Sequence, residues 1–370
     1  MTWGTRSVIR RWVQGAVMIV GFGVCALVLG EAAGVSAGVG ASLLGVLLAV
    51  LPLGVVVPAF LWLDRFEAEP TRLLVLTFLW GALVASAGAL VLNTSTMVAL
   101  RNAGQDPLTL GAVVVAPVVE ESLKGLVVLL IWRLRRQEFD GIVDGMVYAG
   151  LSAAGFAFAE NIFYLARAFH DTGGAGLATV FLLRGVMGPF AHPVFTICTG
   201  IGLGVAATTR RTGTRVLAPL LGWLAAVTLH ATWNLTTVAG IQGFLVAYVF
   251  LQVPLFAAFI GVALWARRRE GRLIGVHLAP YADAGWLTYP EVRMLASMPD
   301  RRRARVWARM TGGRRSLAAM TAFQDVASEL ALLRMRVARG TGGPAAPARE
   351  QALLLDLAAR RREFAWTVLT

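Results

Sequence analysis

The sequence predicts an all-α fold: a polytopic transmembrane helix bundle of about eight spans, followed by a small helical cytoplasmic C-terminal tail. Of its 370 residues, 57% are hydrophobic and only 15% are charged, whereas about 25% of residues in ordinary soluble domains are charged. The mean hydropathy is +0.68. A soluble protein of this length could not bury so much apolar surface, and the apolar residues fall in runs long enough to cross a bilayer. We therefore expect a multi-pass protein of the cell membrane.

Eight apolar runs reach the length of about 20 residues that a spanning helix requires. They lie near residues 12–30, 37–63, 73–93, 108–132, 141–168, 177–208, 216–238 and 244–266. If the amino terminus is cytoplasmic, the inside segments contain fifteen arginines and the outside loops contain only Arg101. This positive-inside bias predicts that both termini are cytoplasmic. The first run also has the layout of a cleaved signal peptide, but the later spans keep their orientation without cleavage.

The chain is predicted to divide into a transmembrane bundle, residues 1–266, and a basic helical tail, residues 267–370. The tail has nineteen arginines against nine acidic residues, which accounts for +10 of the net charge of +13. A basic segment beside a membrane is typical of contact with anionic headgroups, so we expect no nucleic-acid partner. Helices are predicted over 288–310, 316–339 and 349–366. The arginine triplets at 301–303 and 360–362 suggest headgroup contact, and a solvated helical face is the alternative.

The chain contains one lysine, Lys124, and it lies within an apolar run beside Glu120 and Glu121. An ionisable group at the centre of a bilayer costs about 2.5–3.5 kcal/mol on insertion scales, and by default it marks a function. Because a helix has 3.6 residues per turn, Glu120 and Lys124 share a face, and Glu121 lies within reach of Lys124. Three such groups within five residues predict a reaction site or an ion path.

The next three spans each carry uncommon polar groups at a comparable depth. These groups are Glu160 and Asn161 in span five, preceded by Asp144; Arg184 and His192 in span six; and His230 and Asn234 in span seven. Any one of them could simply form a hydrogen bond between helices, and Arg184 could extend toward the membrane surface. Their alignment over four consecutive spans nevertheless predicts a shared site. Small residues recur at 141, 145, 149 and 153, which predicts close approach of another helix to span five.

Several motifs in these spans resemble those of the PrsW family of intramembrane proteases, which is distantly similar to the CAAX-prenyl protease and bacteriocin-processing family. The matching residues are Glu120, Glu121 and Lys124; Asp144, Gly145 and Tyr148; Phe156, Glu160, Asn161 and Tyr164; His192, Phe195 and Gly200; and His230, Trp233 and Asn234. The resemblance covers roughly residues 15–265 and does not extend into the tail. It implies an intramembrane endopeptidase that hydrolyses peptide bonds of membrane-bound protein substrates.

The predicted catalytic residues are Glu120, Glu121, Lys124, Glu160, Asn161, His192, His230 and Asn234, with supporting roles for Asp144, Phe156, Arg184 and Trp233. Hydrolysis requires a held water, a base, an acid and a group that stabilises the oxyanion. In one scheme, Glu120 or Glu121 activates water directly, and a histidine or Asn234 stabilises the oxyanion. In a second scheme, Glu160, His192 and His230 bind Zn²⁺ and a paired glutamate is the base. We favour the first scheme for the residue roles and leave open the metal and the choice of glutamate.

A proton-coupled transporter is the alternative function. Mid-membrane glutamate, lysine and histidine are also the groups of a proton relay, and helices broken at Pro189 and Pro193 would suit a substrate site. Against this, the two halves of the chain show no evident inverted repeat of the motifs. A non-catalytic scaffold would leave the aligned polar groups without a role. The sequence does not identify the substrate, its cleavage site or the oligomeric state.

Overall fold

The fold is helical throughout the part of the chain that the structure describes, which confirms the predicted fold class. A computed structural model describes residues 3–366 except 67, 137, 239 and 341, and no strand occurs among them. The α-helices are α1 (Trp3–Ala37), α2 (Val39–Leu63), α3 (Thr71–Leu79), α4 (Ser86–Asn102), α5 (Pro107–Leu110), α6 (Ala116–Leu134), α7 (Ile142–Phe181), α8 (Ala191–Thr208), α9 (Thr212–Val238), α10 (Gly240–Ala247), α11 (Val253–Asp283), α12 (Tyr289–Leu295), α13 (Met298–Ala338) and α14 (Ala346–Trp366). Single π-helical turns occur at Trp80–Ala85, Gly111–Val115, Leu182–Met187 and Tyr248–Gln252.

Six segments of the described chain are long and apolar enough to cross a membrane. They are Gly15–Ala37, Val39–Leu63, Thr71–Asn102, Ile142–Thr208, Thr212–Thr237 and Gly240–Asp283. The sequence predicted about eight spans. The segment Ile142–Thr208 covers two of them, because α7 and α8 follow one another there. The predicted fourth span contains α6, whose two glutamates and one lysine reduce its apolar character. The result is a polytopic bundle with fewer separately recognisable spans than the sequence suggested.

Two predicted boundaries differ from the observed helices. The sequence left residues 169–176 between two spans, but α7 continues through them and departs from helical geometry at Gly173, where φ is +66°. Glycine adopts this left-handed region without the steric penalty that other residues incur. The sequence also placed one span at 177–208, whereas α7 ends at Phe181 and α8 begins at Ala191. The interruption between them contains the π-helical turn that carries Arg184.

Helix α7 is central to the first compact unit, which comprises Met1–Leu63 and Glu69–Phe259. It packs against α2 and α8, and α8 packs against α9. Glycine permits the α7–α8 contact, because a Cβ on Gly145 would lie 2.1 Å from the carbonyl oxygen of Gly200. No larger residue fits at that distance without moving one of the helices. The small residues on α7 therefore bring α8, and the polar side chains near its beginning, close to α7.

Helix α6 is held on two sides at the level of its charged residues. The indole Nε1 of Trp80 donates to the carbonyl oxygen of Leu123 at 3.0 Å. The hydroxyl of Ser152, on α7, donates to the carbonyl oxygen of Lys124 at 3.0 Å. These two carbonyls already accept the backbone hydrogen bonds of the helix, so each donor adds a second bond to a carbonyl oxygen. They also fix the rotation of α6 about its own axis, and with it the directions of its two glutamates.

The second compact unit comprises Asp64–Ala68 and Ile260–Thr370. Its core is apolar, and its most deeply buried side chains include Leu278, Leu295, Phe323, Leu330 and Leu357. The helix predicted over 288–310 is divided into α12 and α13, because Ser297 caps α13 by accepting from the amide of Asp300 at 3.4 Å. The boundary predicted between residues 266 and 267 concerns the end of the last span, and it stays a prediction.

Arg301 belongs to this core, so the prediction that its whole triplet contacts headgroups is wrong at this residue. Its side chain is 1% exposed. It donates to the carbonyl oxygens of Leu295 at 2.7 Å and Phe66 at 3.3 Å, and to the hydroxyl of Ser328 at 2.7 Å. Burial lowers the pKa of Arg301 to about 10, so the guanidinium remains charged at neutral pH. Its hydrogen bonds join the 64–68 segment to α12 and α13.

Candidate active site

Helices α6, α7, α8 and α9 bring predicted polar residues into one buried cluster. Direct contacts of 3.8 Å or less join Glu120, Glu121 and Lys124 of α6 to His192 of α8 and His230 of α9. Glu160 of α7 joins the cluster through His192. The groups are thus close enough to act on one molecule, which is the geometric condition for a shared site. Their catalytic roles are taken up below as proposals.

The ammonium group of Lys124 lies at the centre of this cluster. Its Nζ donates to Oε1 of Glu121 at 2.8 Å and to Oε2 of Glu120 at 3.4 Å, and it lies 3.1 Å from Nδ1 of His192. It also sits over the ring of Phe156, 4.1 Å from the ring centroid, as in a cation–π contact. Lys124 has no exposed surface, so these contacts replace the hydration that burial removes.

The carboxylate of Glu121 is fully buried and accepts three hydrogen bonds. Its Oε1 accepts from Lys124 at 2.8 Å and from Nδ1 of His230 at 3.0 Å. Its Oε2 accepts from the hydroxyl of Thr196 at 2.6 Å. Bonds to an ionised carboxylate are the strong ones among protein hydrogen bonds. Glu121 is therefore arranged to hold a lysine, a histidine and helix α8 in fixed positions.

Glu120 is held more loosely than its neighbour. Its Oε1 accepts from Nδ2 of Asn93 at 3.3 Å, and its Oε2 lies 3.4 Å from Nζ of Lys124. Oε2 also lies 3.8 Å from Nε2 of His230, which is too long for a hydrogen bond. The longer contacts leave lone pairs of Glu120 available to another molecule.

A cavity of about 440 Å³ adjoins the cluster and distinguishes the two glutamates. Its polar wall contains Glu120, Glu160, Arg184 and His192, whereas Glu121 does not line it. The remaining wall is largely apolar and comes from α7, α9, α10 and the turns at 111–115 and 182–187. Its side chains include Val180, Leu183, Trp233, Ile241 and Phe244. A mostly apolar cavity with a few convergent polar groups is the usual form of a binding site.

The hydrogen-bond partners indicate which nitrogens of the two buried histidines donate. Nδ1 of His230 faces the carboxylate of Glu121, which only accepts, so Nδ1 donates. Nδ1 of His192 faces the ammonium of Lys124, which only donates, so Nδ1 accepts. The proton of His192 is then on Nε2, which lies 2.9 Å from Oε2 of Glu160. Nε2 of His230 lies 3.8 Å from Oε2 of the cavity glutamate, Glu120.

A second ion pair, between Glu160 and Arg184, lies on the cavity wall. The Nη2 atom of Arg184 donates to Oε2 of Glu160, and its Nε donates to Oδ1 of Asn161 at 2.8 Å. The guanidinium also lies over the ring of Tyr164, 4.0 Å from the centroid. Asn161 and Tyr164 therefore orient Arg184, and neither needs to contact a substrate to do so. Arg184 is bonded inside the site.

The remaining predicted residues divide between the cavity and the helix ends. Asn234 lines the cavity, and its Nδ2 donates to the carbonyl oxygen of Ala112 in the turn before α6, at 2.8 Å. Trp233 lines the cavity as well. Asp144 does not belong to the site, because its Oδ2 accepts from two backbone amides at the beginning of α7, each at 2.8 Å. At 1.5 Å per residue, it lies about 24 Å along α7 from Glu160.

Two residues of the cluster, Asn93 and Thr196, were not predicted from the sequence. Thr196 lies one helical turn after His192, so the shared face of α8 was an available signal. Asn93 belongs to no recognisable motif. Its contact with Glu120 depends on the packing of α4 against α6, which no local pattern reveals.

Comparison with known proteins identifies the family. A family model described as PrsW family intramembrane metalloprotease matches residues 69–259. This match covers more than half of the chain and includes every residue of the cluster and its cavity. The chain belongs to the PrsW family.

Individual PrsW proteins show the same relationship. The chain is 27% identical over 211 residues to Protease PrsW of Oceanobacillus iheyensis, covering 57% of this chain and 89% of that protein. It is 31% identical over 157 residues to Protease PrsW of Clostridioides difficile, covering 42% and 62% of the two chains. No solved structure matches the chain. Membership of the PrsW family supports a membrane-embedded protease over the transporter alternative.

The donor types of the PrsW site fit the metal that the family description implies, and His192 would give up one of its two hydrogen bonds, to Lys124 or to Glu160, on binding it. One ligand atom each from Glu120, His192 and His230 lie within 4.8 Å of one another. Imidazole nitrogens with a carboxylate oxygen are a usual catalytic zinc set, and Glu121 orients His230 as carboxylates do for metal-binding histidines. The sequence proposed Glu160 in this set. The structure groups Glu120 with the two histidines instead, while Glu160 is paired with Arg184.

Proposed function

We propose that this PrsW-family chain hydrolyses peptide bonds of membrane-bound protein substrates in the cavity beside Glu120. Glu120 is the carboxylate that holds and activates the attacking water. The observation that supports this role is the difference in surroundings between the two adjacent carboxylates. Glu120 lines the cavity and is weakly bonded, whereas Glu121 is enclosed and accepts three hydrogen bonds.

The proton transfers follow from this placement. Glu120 takes a proton from water as the water attacks the carbonyl carbon of the scissile bond. The same carboxyl group then returns the proton to the leaving amine, as general acid–base catalysis requires. Lys124 and Glu121 do not enter this transfer. They hold Glu120 and His230 in place, and preorganised groups of this kind cost no reorganisation when the reaction occurs.

Two donors on the cavity wall could stabilise the negative oxygen that forms. An asparagine amide has two N–H donors, and Asn234 donates one of them to the carbonyl oxygen of Ala112. A guanidinium has five, of which Arg184 uses two on Asn161 and Glu160. We assign oxyanion stabilisation to the remaining donors of these two residues. Removal of one such donor typically lowers kcat by about 10²–10³-fold.

A divalent metal, if present, would be held by Glu120, His192 and His230. When bound, such a metal supplies Lewis acidity that makes water a stronger nucleophile near neutral pH. Glu120 would contact the reacting water directly without a metal and would be a metal ligand with one. We therefore expect hydrolysis to require Glu120 in both arrangements.

The cavity is suited to an unwound stretch of a membrane-spanning substrate. Its apolar side chains, including Val180, Leu183, Ile241 and Phe244, can receive apolar substrate side chains. Its polar wall can receive the peptide group, which cannot remain unsatisfied in lipid. We infer that the substrates are single segments of membrane proteins that enter from the bilayer.

The variant Glu120→Gln tests this proposal in living cells. Membrane fractions from cells that express the wild type, Glu120→Gln or the control Glu31→Gln are compared by mass spectrometry for newly formed peptide termini. Glu31 is an exposed residue of α1, so its variant should behave as the wild type. We expect the new termini to disappear with Glu120→Gln. The same set of newly formed peptide termini in all three strains would contradict the proposed role of Glu120. Uptake into sealed vesicles that depends on pH and occurs without any cleavage would indicate a transporter.

A further inference from the structure

The beginning of α13, in the second unit, presents a face that is both basic and apolar. We define this face as the exposed residues of 302–315. Its charged members are Arg302, Arg303, Arg309, Arg314 and Arg315. Among them lie Val306, Trp307 and Met310, with 51%, 44% and 81% of their surface exposed. Gly313, at φ +67°, interrupts the helix within this segment.

The arginines of this face differ from others in the same unit. Several arginines elsewhere are neutralised by acids, in the pairs Arg349 with Glu329, Arg360 with Asp356, and Arg361 with Glu291. On the 302–315 face, Arg303 pairs with Asp300 at 2.5 Å. Within the chain as described, no ion pair joins Arg302, Arg309, Arg314 or Arg315 to an acid. Four positive charges are therefore available to an external anion.

The spacing of the residues puts charge and apolar surface on the same side of the helix. In the regular turns before Gly313, Arg303, Trp307 and Met310 follow one another at intervals of three or four residues, as do Arg302, Val306 and Arg309, and residues so spaced are neighbours on a helix surface. The exposed apolar side chains Val306, Trp307 and Met310 thus lie beside exposed arginines. A helix whose large apolar side chains are flanked by arginine is typical of segments that lie in the interface of a bilayer. Tryptophan in particular is enriched at the level of the headgroups.

We propose that the 302–315 face rests on anionic lipid headgroups, with Trp307 and Met310 entering the headgroup layer. A polyanion such as nucleic acid would engage the arginines but would leave the exposed methionine and valine in water. A lipid surface uses both kinds of side chain. The preceding segment Gly240–Asp283 is apolar enough to cross a membrane, so the bilayer is within reach of a face that begins shortly after it. This inference is independent of the proposed hydrolysis.

A fluorescent reporter at position 310 tests the proposal on the full chain. Cys25 and Cys198 are replaced by alanine, and a polarity-sensitive dye is attached to Met310→Cys. The control dye is attached to Leu355→Cys, an exposed position of α14 in the same unit. Each protein is placed in nanodiscs of phosphatidylcholine alone or with about 30% phosphatidylglycerol, so that an aqueous quencher reaches both membrane faces.

We expect at least fivefold slower aqueous quenching at 310 in the anionic nanodiscs than in the neutral ones, with no such change at 355. High salt should reduce the protection, because it screens exposed charges. Replacing Arg302, Arg309, Arg314 and Arg315 together by glutamine should abolish it. These arginines are exposed, so the fold should survive the change. Equal quenching in the two lipids, or protection that persists in the glutamine variant, would overturn the proposal.

Discussion

Adjacent glutamates have different surroundings because successive residues of an α-helix point about 100° apart. Glu120 points to the cavity, and Glu121 points into the contact between α6, α8 and α9. The sequence predicted the pair and its lysine but not the division between them. A helical projection gives the angle between two side chains, and only the packing of the other helices decides which direction is the cavity.

The hydroxyl of Thr196 is expected to position Glu121 for catalysis. Thr196→Val removes the 2.6 Å hydrogen bond to Oε2 of Glu121 and keeps the shape of the side chain. A hydrogen bond to a charged group contributes about 1.5–3 kcal/mol, so we expect kcat to fall about tenfold with little change in KM. Thr196→Ser keeps the hydroxyl and should restore the rate.

Thr199 provides the matched control for this variant. It lies on the same helix and is buried, and its hydroxyl has no hydrogen-bond partner among the described residues. Thr199→Val should therefore leave kcat unchanged and should not lower thermal stability. An equal loss of rate in the two valine variants would show that Thr196 acts only through general packing.

At the scale of elements, the close contact of α7 and α8 sets the spacing between Glu160 and His192. The recurrence of small residues four apart predicted that another helix approaches α7 closely, but not that this helix is α8. The sequence did not predict where the helices end, because the interruption between them depends on how the 182–190 region packs. Nor did it show that α7 continues past 168, since glycine-containing loops and glycine-kinked helices have similar composition.

Gly145→Ala is expected to separate these two helices. The added Cβ would lie 2.1 Å from the carbonyl oxygen of Gly200, and a backbone atom cannot rotate away as a side chain can. Overpacking of this kind costs about 1–3 kcal/mol, so the thermal midpoint of the purified protein should fall. Gly54→Ala is the control, because nothing lies within 4 Å of its added Cβ. Equal midpoints for the two variants would contradict the close α7–α8 contact.

At the scale of the whole molecule, an apolar chain encloses a strongly charged centre. Three carboxylates, Glu120, Glu121 and Glu160, contact two basic side chains, Lys124 and Arg184. In their charged forms these groups sum to −1, which favours an additional cation. Composition and motifs were sufficient to predict such a centre. They could not predict its donor set, because Glu120 and Glu160 come from different helices and only tertiary structure shows which one groups with the histidines.

Added Zn²⁺ is expected to stabilise the chelator-treated protein. A ligand at about 100 times its Kd stabilises the folded state by about 2.7 kcal/mol, which a thermal scan in detergent would detect. His230→Ala should remove this shift. His170→Ala, which alters an exposed histidine outside the cluster, should retain it. A chelated protein that is fully active and shows no Zn²⁺-dependent shift would argue that the cluster works without metal.

The hydrolysis rates of Glu120→Gln and Glu121→Gln distinguish the base from its neighbour, when they are measured on a single-span protein co-reconstituted with the purified enzyme. We expect Glu120→Gln to lower the rate by about 10²–10⁴-fold with little loss of thermal stability, because its bonds are weak. Glu121→Gln should lower the rate and the thermal midpoint together, because it disturbs three strong hydrogen bonds. A folded Glu120→Gln protein that cleaves at the wild-type rate would contradict the proposal that Glu120 activates the attacking water.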